Sequence, residues 1–290
     1  MGLADILFLS RDKISSRYLG IVEAVLMLIL FGCVIFLLTW PPGDPWKLGA
    51  SLAVILLGFS YGFYRGYRND GRLWVVVSAL TAGFWVYTLF RYLGFVRWPL
   101  GYPSSLSGYF SMFLSHLALV ICPLAALLWI SDKSFLKQTL MWGSWKNLIS
   151  QRSWGFLLLL AVALGCWIWA FKVVIKTGLG GAGKGGWFLL LALAKAALTG
   201  GAEEAGYRGF IQKAAIKRFG VTLGIILQTC LYTVFHMNLG QALFEYSQFM
   251  IGVFILGLVF GIVTYRTRGI GWAFVVHTAL DVVIEWQNIH

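Results

Sequence analysis

With 290 residues, 59% of them hydrophobic and only 12% charged, the chain departs from an ordinary soluble domain, in which roughly a quarter of the residues are charged. The net charge of +12 is not gathered on one tail or face but lies in the short connections between apolar runs. This excludes most soluble folds, sets aside a nucleic-acid partner, and points to a polytopic membrane protein with the lipid bilayer as its surroundings.

A helix needs about 20 mostly apolar residues to cross the bilayer core. The predicted spans are 18–40, 47–64, 73–93, 105–130, 154–175, 186–205, 221–237, 244–265 and 270–288, so the expected fold is an all-α transmembrane bundle with eight or nine crossings. The runs are continuous rather than alternating with period two, which favours helices over a barrel. The first span is too long for a signal-peptide core and is expected to remain as an anchor, ended by the PPGDP turn at 41–45.

Arg11, Lys13 and Arg17 precede the first span, and Arg65, Arg68 and Arg72 follow the second. Lys133, Lys137, Lys146 and Arg152 follow the fourth; Lys213, Lys217 and Arg218 follow the sixth; Arg266 and Arg268 follow the eighth. The positive-inside rule then places the N-terminus and the even-numbered exits in the cytoplasm, the cell membrane being the expected location. Arg91, Arg97, Lys172, Lys176 and Lys184 fall on the opposite side. Trp40, Trp46, Trp98, Trp142, Trp145, Trp187 and Trp272 sit near span ends, as an interfacial aromatic belt requires. Cys33, Cys122, Cys166 and Cys230 lie inside apolar runs without CxxC spacing and read as small buried hydrophobes.

A Lys- and Trp-bearing linker at 131–153 and a glycine-rich loop, GLGGAGKGG, at 178–186 interrupt the apolar pattern. The whole reads as one membrane domain: residues 1–153 hold lipid-facing helices and the surface linker, and 186–288 hold nearly all the acids and imidazoles found within spans.

An ionisable side chain within a span is costly and by default marks a functional site. The second half supplies Lys195, Glu203, Glu204, Arg208, His236, His277, Asp281 and Glu285. Glu204 and Arg208 are four apart on one helix face, acid before base, and can neutralise each other. Glu203, turned about 100° away, is left as the spare carboxylate. Thr199, Gly200, Gly201 and Ala202 before it permit close approach of a helix or an extended peptide. The pattern from Phe210 to Arg218 turns amphipathic and reads as a helix leaving along the cytoplasmic surface. His236 follows Tyr232 by one turn, and His277 and Asp281 are again four apart, so the carboxylate can fix the ring's tautomer.

One carboxylate and two imidazoles brought in by three spans can activate water and stabilise an oxyanion. No HExxH occurs, and GFSYG at 58–62, which matches GxSxG, lies inside an apolar run rather than at a strand-to-helix elbow. Glu203, His236 and His277 could also ligate one metal ion, since two histidines and a carboxylate suit zinc.

These residues resemble the type II CAAX prenyl endopeptidases and their prokaryotic relatives, the CAAX-protease and bacteriocin-processing family of intramembrane proteases. EExxxR corresponds to Glu203, Glu204 and Arg208, followed by Gly209 and Phe210; FxxxH to Tyr232 and His236; HxxxN or HxxxD to His277 and Asp281. The resemblance covers about residues 186–288. It implies an endopeptidase needing no cofactor or metal, with Glu203 as general base, His236 its partner, His277 an oxyanion stabiliser, and Glu204 with Arg208 an orienting pair. Its substrate would be a membrane-tethered protein or peptide. Tyr232 replaces the family's phenylalanine. Asp281 replaces the asparagine of the CAAX enzymes, and an ionised aspartate cannot donate to an oxyanion; orientation of His277 is the role expected of it. The alternative is a non-catalytic immunity or assembly protein that uses the same cluster for packing. His236 at the far end of a full crossing and Glu203 only a few turns from a surface helix are expected at different depths, a conflict the linear pattern leaves open.

Overall fold

The computed structural model describes residues 11–39, 44–66, 71–92, 137, 140–144, 161, 165, 186–236 and 247–289. The described segments are helical, with no strand among them. In chain order they are α1 (Arg11–Thr39), α2 (Pro45–Tyr64), α3 (Arg72–Tyr92), α4 (Gly186–Glu203), a π-helix (Glu204–Ile211), α5 (Gln212–Phe219), α6 (Val221–His236), α7 (Ser247–Thr267) and α8 (Gly271–Ile289). The expected spans at 105–130 and 154–175 and the glycine-rich loop lie outside this description apart from single positions, as do Cys122 and Cys166. Two described helices, Pro45–Tyr64 and Met250–Thr267, are long and apolar enough to cross a bilayer. Gly20–Ile35, Arg72–Val86 and Val221–His236 are shorter apolar helices, so the described residues establish two candidate crossings rather than eight or nine.

On α1 the side chains of Ile21, Val22, Val25, Leu26 and Ile29 stay exposed, as do Leu56, Leu57 and Phe63 on α2. An outward apolar face of this extent suits contact with lipid rather than water. Cys33 is exposed and Cys230 half-buried, both as free thiols; neither is a core residue as the sequence pattern suggested.

The second half is organised by one uninterrupted helical rod. Glu203, Ile211 and Gln212 all keep right-handed helical dihedrals, so α4, the π-helix and α5 join without a break. The rod is about 50 Å long at 1.5 Å per residue. It stops at Gly220, whose φ of 85° and ψ of 172° belong to a region open essentially to glycine alone.

After this single-residue turn α6 runs back along the rod. The contacts progress in order: Gly224 against Ile216, Tyr232 against Tyr207 and Arg208, then His236 against Glu203. The rod and α6 are therefore an antiparallel hairpin. A Cβ on Gly224 would stand 2.6 Å from the Ile216 backbone nitrogen, which explains the glycine at the tightest point of the hairpin.

Expected as a surface helix, 210–218 is instead a packed arm of this hairpin. Phe210, Ile211, Ala214 and Ala215 are buried against α1, α3 and α6 in the main apolar cluster. Protein and lipid both satisfy an amphipathic stripe, so periodicity alone does not choose between them. The arm's outer end is tied to the first half. Glu23 on α1 accepts from Trp74 Nε1 at 2.9 Å and from Arg218 Nε and Nη2 at 3.2 and 2.7 Å.

Next, α7 packs antiparallel to α6, with Gly257 on Thr229 and Tyr232 and Gly261 on Gln228 and Ile225. Helix α8 runs antiparallel to α4, with Gly200 on His277 and Thr278 and Gly201 on Phe274. Segment 140–144 seals the α7–α8 turn. Ser144 N–H donates to Thr267 C=O, while Ile270 and Gly271 N–H donate to Met141 and Trp142 C=O.

Candidate active site

Three elements converge about halfway along the rod: the α4–π junction with Glu203 and Glu204, the last turn of α6 with Tyr232 and His236, and α8 with His277 and Asp281. The hairpin settles the depth conflict. Counted from Gly220, Glu203 lies 17 residues back and His236 16 residues on, so the two arrive at one level. The small residues before Glu203 serve α8, because a Cβ on Gly200 would lie 3.3 Å from Thr278 Oγ1 and 3.6 Å from the His277 ring. The space that could have admitted an extended peptide there is filled by a helix.

The π-helix begins at the second carboxylate. Gln212 N–H donates to Tyr207 C=O, five residues back rather than four. Gly206 and Gly209 ease this wider backbone, and Gly206 lies against Leu80 of α3. Such turns are rare and recur at functional sites. Here the whole segment Glu204–Ile211 is buried.

Glu204 is fully buried and makes two bonds through one oxygen. Its Oε1 accepts from Arg208 Nη1 at 2.9 Å and from His277 Nδ1 at 2.8 Å. A carboxylate paired with a guanidinium is an acceptor only, so His277 Nδ1 carries the hydrogen and Nε2 is turned into the site. The guanidinium of Arg208 lies over the Tyr232 ring at 4.0 Å and the Phe260 ring at 5.3 Å. Two aromatic rings thus stand against the buried cation.

His236 is set in the same manner by a different group. Its Nδ1 is 2.7 Å from the Tyr232 carbonyl oxygen. A carbonyl can only accept, so Nδ1–H donates and, in the neutral ring, Nε2 presents a lone pair. That Nε2 is 3.5 Å from Glu203 Oε2, while His277 Nε2 is 3.8 Å from the same oxygen. Glu203 Oε2 is buried and makes no hydrogen bond. Two acceptors, the carboxylate oxygen and the His236 lone pair, therefore face each other across a gap that neither can close. A water molecule beside them, about 2.8 Å from each, can donate one hydrogen to each and leave its own lone pairs outward.

Asp281 Oδ2 is 3.7 Å from His277 Nε2, beyond hydrogen-bond length. The short bond that fixes the His277 ring comes from Glu204, a partner that helical spacing within α8 could not reveal. Tyr232, 3% exposed, supports the site through its ring, 4.2 Å from that of His236 and below Arg208. Lys195 is also buried, on α4. The side chain of Glu285 lies outside the described residues.

Sequence reasoning missed Phe260, which flanks both Arg208 and His277, and the amides of Gln212 and Gln228. A glutamine within an apolar run is itself an intramembrane polar signal, and both were available to that test. Among the described residues, no group of three His, Cys, Asp or Glu side chains converges as a metal site requires.

Among the described helices a buried carboxylate oxygen thus meets two oriented imidazoles inside an apolar protein, groups of the kind that can activate water. Residues 185–283 match the family model described as type II CAAX prenyl endopeptidase Rce1-like. The matched segment, about a third of the chain, contains all three motifs, and the family it resembles is a membrane-embedded family of proteases. No curated protein and no solved structure matches the chain.

Proposed function

We propose that the protein is an intramembrane endopeptidase that hydrolyses a membrane-associated protein or peptide with water activated at Glu203. The observation that supports this best is the buried, unbonded Oε2 of Glu203 facing Nε2 of both His236 and His277. In this reading Glu203 takes a proton from the water as its oxygen attacks the scissile carbonyl carbon. His236, held by Tyr232 C=O, accepts the second hydrogen of that water as a hydrogen bond and aims its lone pairs. His277, doubly protonated with its Nδ1–H on Glu204, donates from Nε2 and stabilises the oxyanion. As the tetrahedral intermediate collapses, the proton on Glu203 passes to the leaving amine and the C–N bond breaks.

Glu204 and Arg208 position His277, and Asp281 holds a negative charge near its Nε2. No metal is used, the N-terminus faces the cytoplasm, and the protein lies in the cell membrane. The experiment compares wild type and Glu203→Gln in proteoliposomes on farnesylated and on unlipidated membrane-tethered peptides. Cleavage by the wild type alone supports the reading. Equal cleavage by both, or cleavage abolished by a chelator and restored by zinc, overturns it, the latter in favour of a metal-dependent site.

A further inference from the structure

Among the described residues, six of the buried polar atoms that lack a hydrogen-bond partner lie along one path. Glu204 Oε2, Arg208 Nε and Nη2, and Gln212 Oε1 recur every fourth residue along one face of the rod. Opposite them on α6, one turn from Tyr232, both amide atoms of Gln228 are likewise unbonded. The four side chains are at most 1% exposed. Gln212 Nε2 donates to the Gly261 carbonyl on α7 at 2.8 Å. The Oε1 atoms of Gln212 and Gln228 both lie about the missing side chain of Gly261, 3.1 and 3.0 Å from where its Cβ would stand. Gly261 thus lets the two amide oxygens close against α7 between the rod and α6, one turn beyond Arg208.

Each orphaned buried polar group costs about 1–3 kcal/mol. A row of them is retained only if something meets their hydrogen-bonding capacity, and within a dry apolar bundle the fitting ligand is water, which can donate and accept at once. We infer that Glu204, Arg208, Gln212, Gln228 and Gly261 form an internal water-binding seam that runs from the carboxylate cluster towards the Gly220 end of the hairpin. The seam supplies the hydrolytic water from within the protein, so the substrate's side of the site can stay closed to bulk solvent. The supply role rests on the proposed hydrolysis; the binding of water does not.

The test is radiolytic hydroxyl-radical labelling of the wild-type protein in nanodiscs, read residue by residue by mass spectrometry. Radicals formed from bound water mark the side chains beside it. Phe260, 1% exposed and beside the Arg208 guanidinium, is compared with Phe31, 0% exposed in the main apolar cluster. The expected result is severalfold faster labelling of Phe260; equal labelling overturns the seam. In a Gln212→Leu/Gln228→Leu double variant, labelling of Phe260 falls to the level of Phe31 and peptide turnover drops severalfold with KM unchanged. Retained labelling overturns the assignment to the two amides, and lost labelling with undiminished turnover overturns the supply role. If the double variant does not fold, the wild-type comparison decides alone. Glu203→Gln keeps the Phe260 labelling, so full proteolysis by that variant would sink the hydrolytic reading and leave the seam standing.

Discussion

Replacing Glu203 with glutamine separates catalysis from folding, because the two glutamates at this site are bonded so differently. Glu203 Oε2 makes no hydrogen bond, and imidazole nitrogens of His236 and His277 stand 3.5 and 3.8 Å from it. An isosteric amide fills the same volume and breaks no bond of that oxygen, so stability should change by less than about 1 kcal/mol. The amide cannot take a proton from water. Loss of a general base costs about 10²–10⁴ in rate, equivalent to about 2.7–5.4 kcal/mol of barrier. The rate effect therefore exceeds the stability effect severalfold. Turnover of a membrane-tethered peptide in proteoliposomes gives the first quantity, and thermal unfolding in detergent the second. Undiminished turnover, or a loss of turnover that merely follows the fraction unfolded, would refute the assignment.

The neighbouring substitution has the opposite signature. Glu204→Gln weakens a fully buried pair with Arg208 and the bond that fixes His277, and thermal or denaturant unfolding should show a loss of about 3–5 kcal/mol. Gly220→Ala meets no steric contact but demands a backbone conformation closed to alanine; a loss of about 1–3 kcal/mol is expected, read by the same assay. A double-mutant cycle on Glu23→Gln and Arg218→Gln should give a coupling energy of about 0.5–3 kcal/mol, because Arg218 donates twice to one carboxylate across two helices. Chelation should leave peptide cleavage unchanged, as measured by turnover before and after dialysis against a chelator.

The site was legible in the sequence to the extent that four-residue spacing sufficed. The Glu204–Arg208 pair follows from that spacing alone, and so does the isolation of Glu203 from it. The partner of His277 did not follow, since the short bond to its ring crosses from α8 to the rod and ends on Glu204, while Asp281 on its own helix stays at 3.7 Å. Periodicity reports neighbours along a helix and is blind to neighbours across helices. The π-helix was equally hidden. Its five-residue bonding is a collective property of the backbone, which a segment rich in glycine permits but does not announce.

The depth conflict shows most clearly what a linear reading lacks. Treating 210–218 as a surface helix ends the rod near Arg208, and then no crossing that starts at Val221 can bring His236 level with Glu203. Burying Ala214, Ala215 and Ile211 against the bundle extends the rod to Phe219, and the turn at Gly220 becomes a mirror point from which Glu203 and His236 are nearly equidistant in sequence. The level of the site is then set by arm length, not by the membrane surface. Inserting or deleting residues in α5 alone would displace Glu203 from His236 by about 1.5 Å per residue and rotate it by about 100°. Matched changes in α5 and α6 would move the site along the hairpin and keep it assembled.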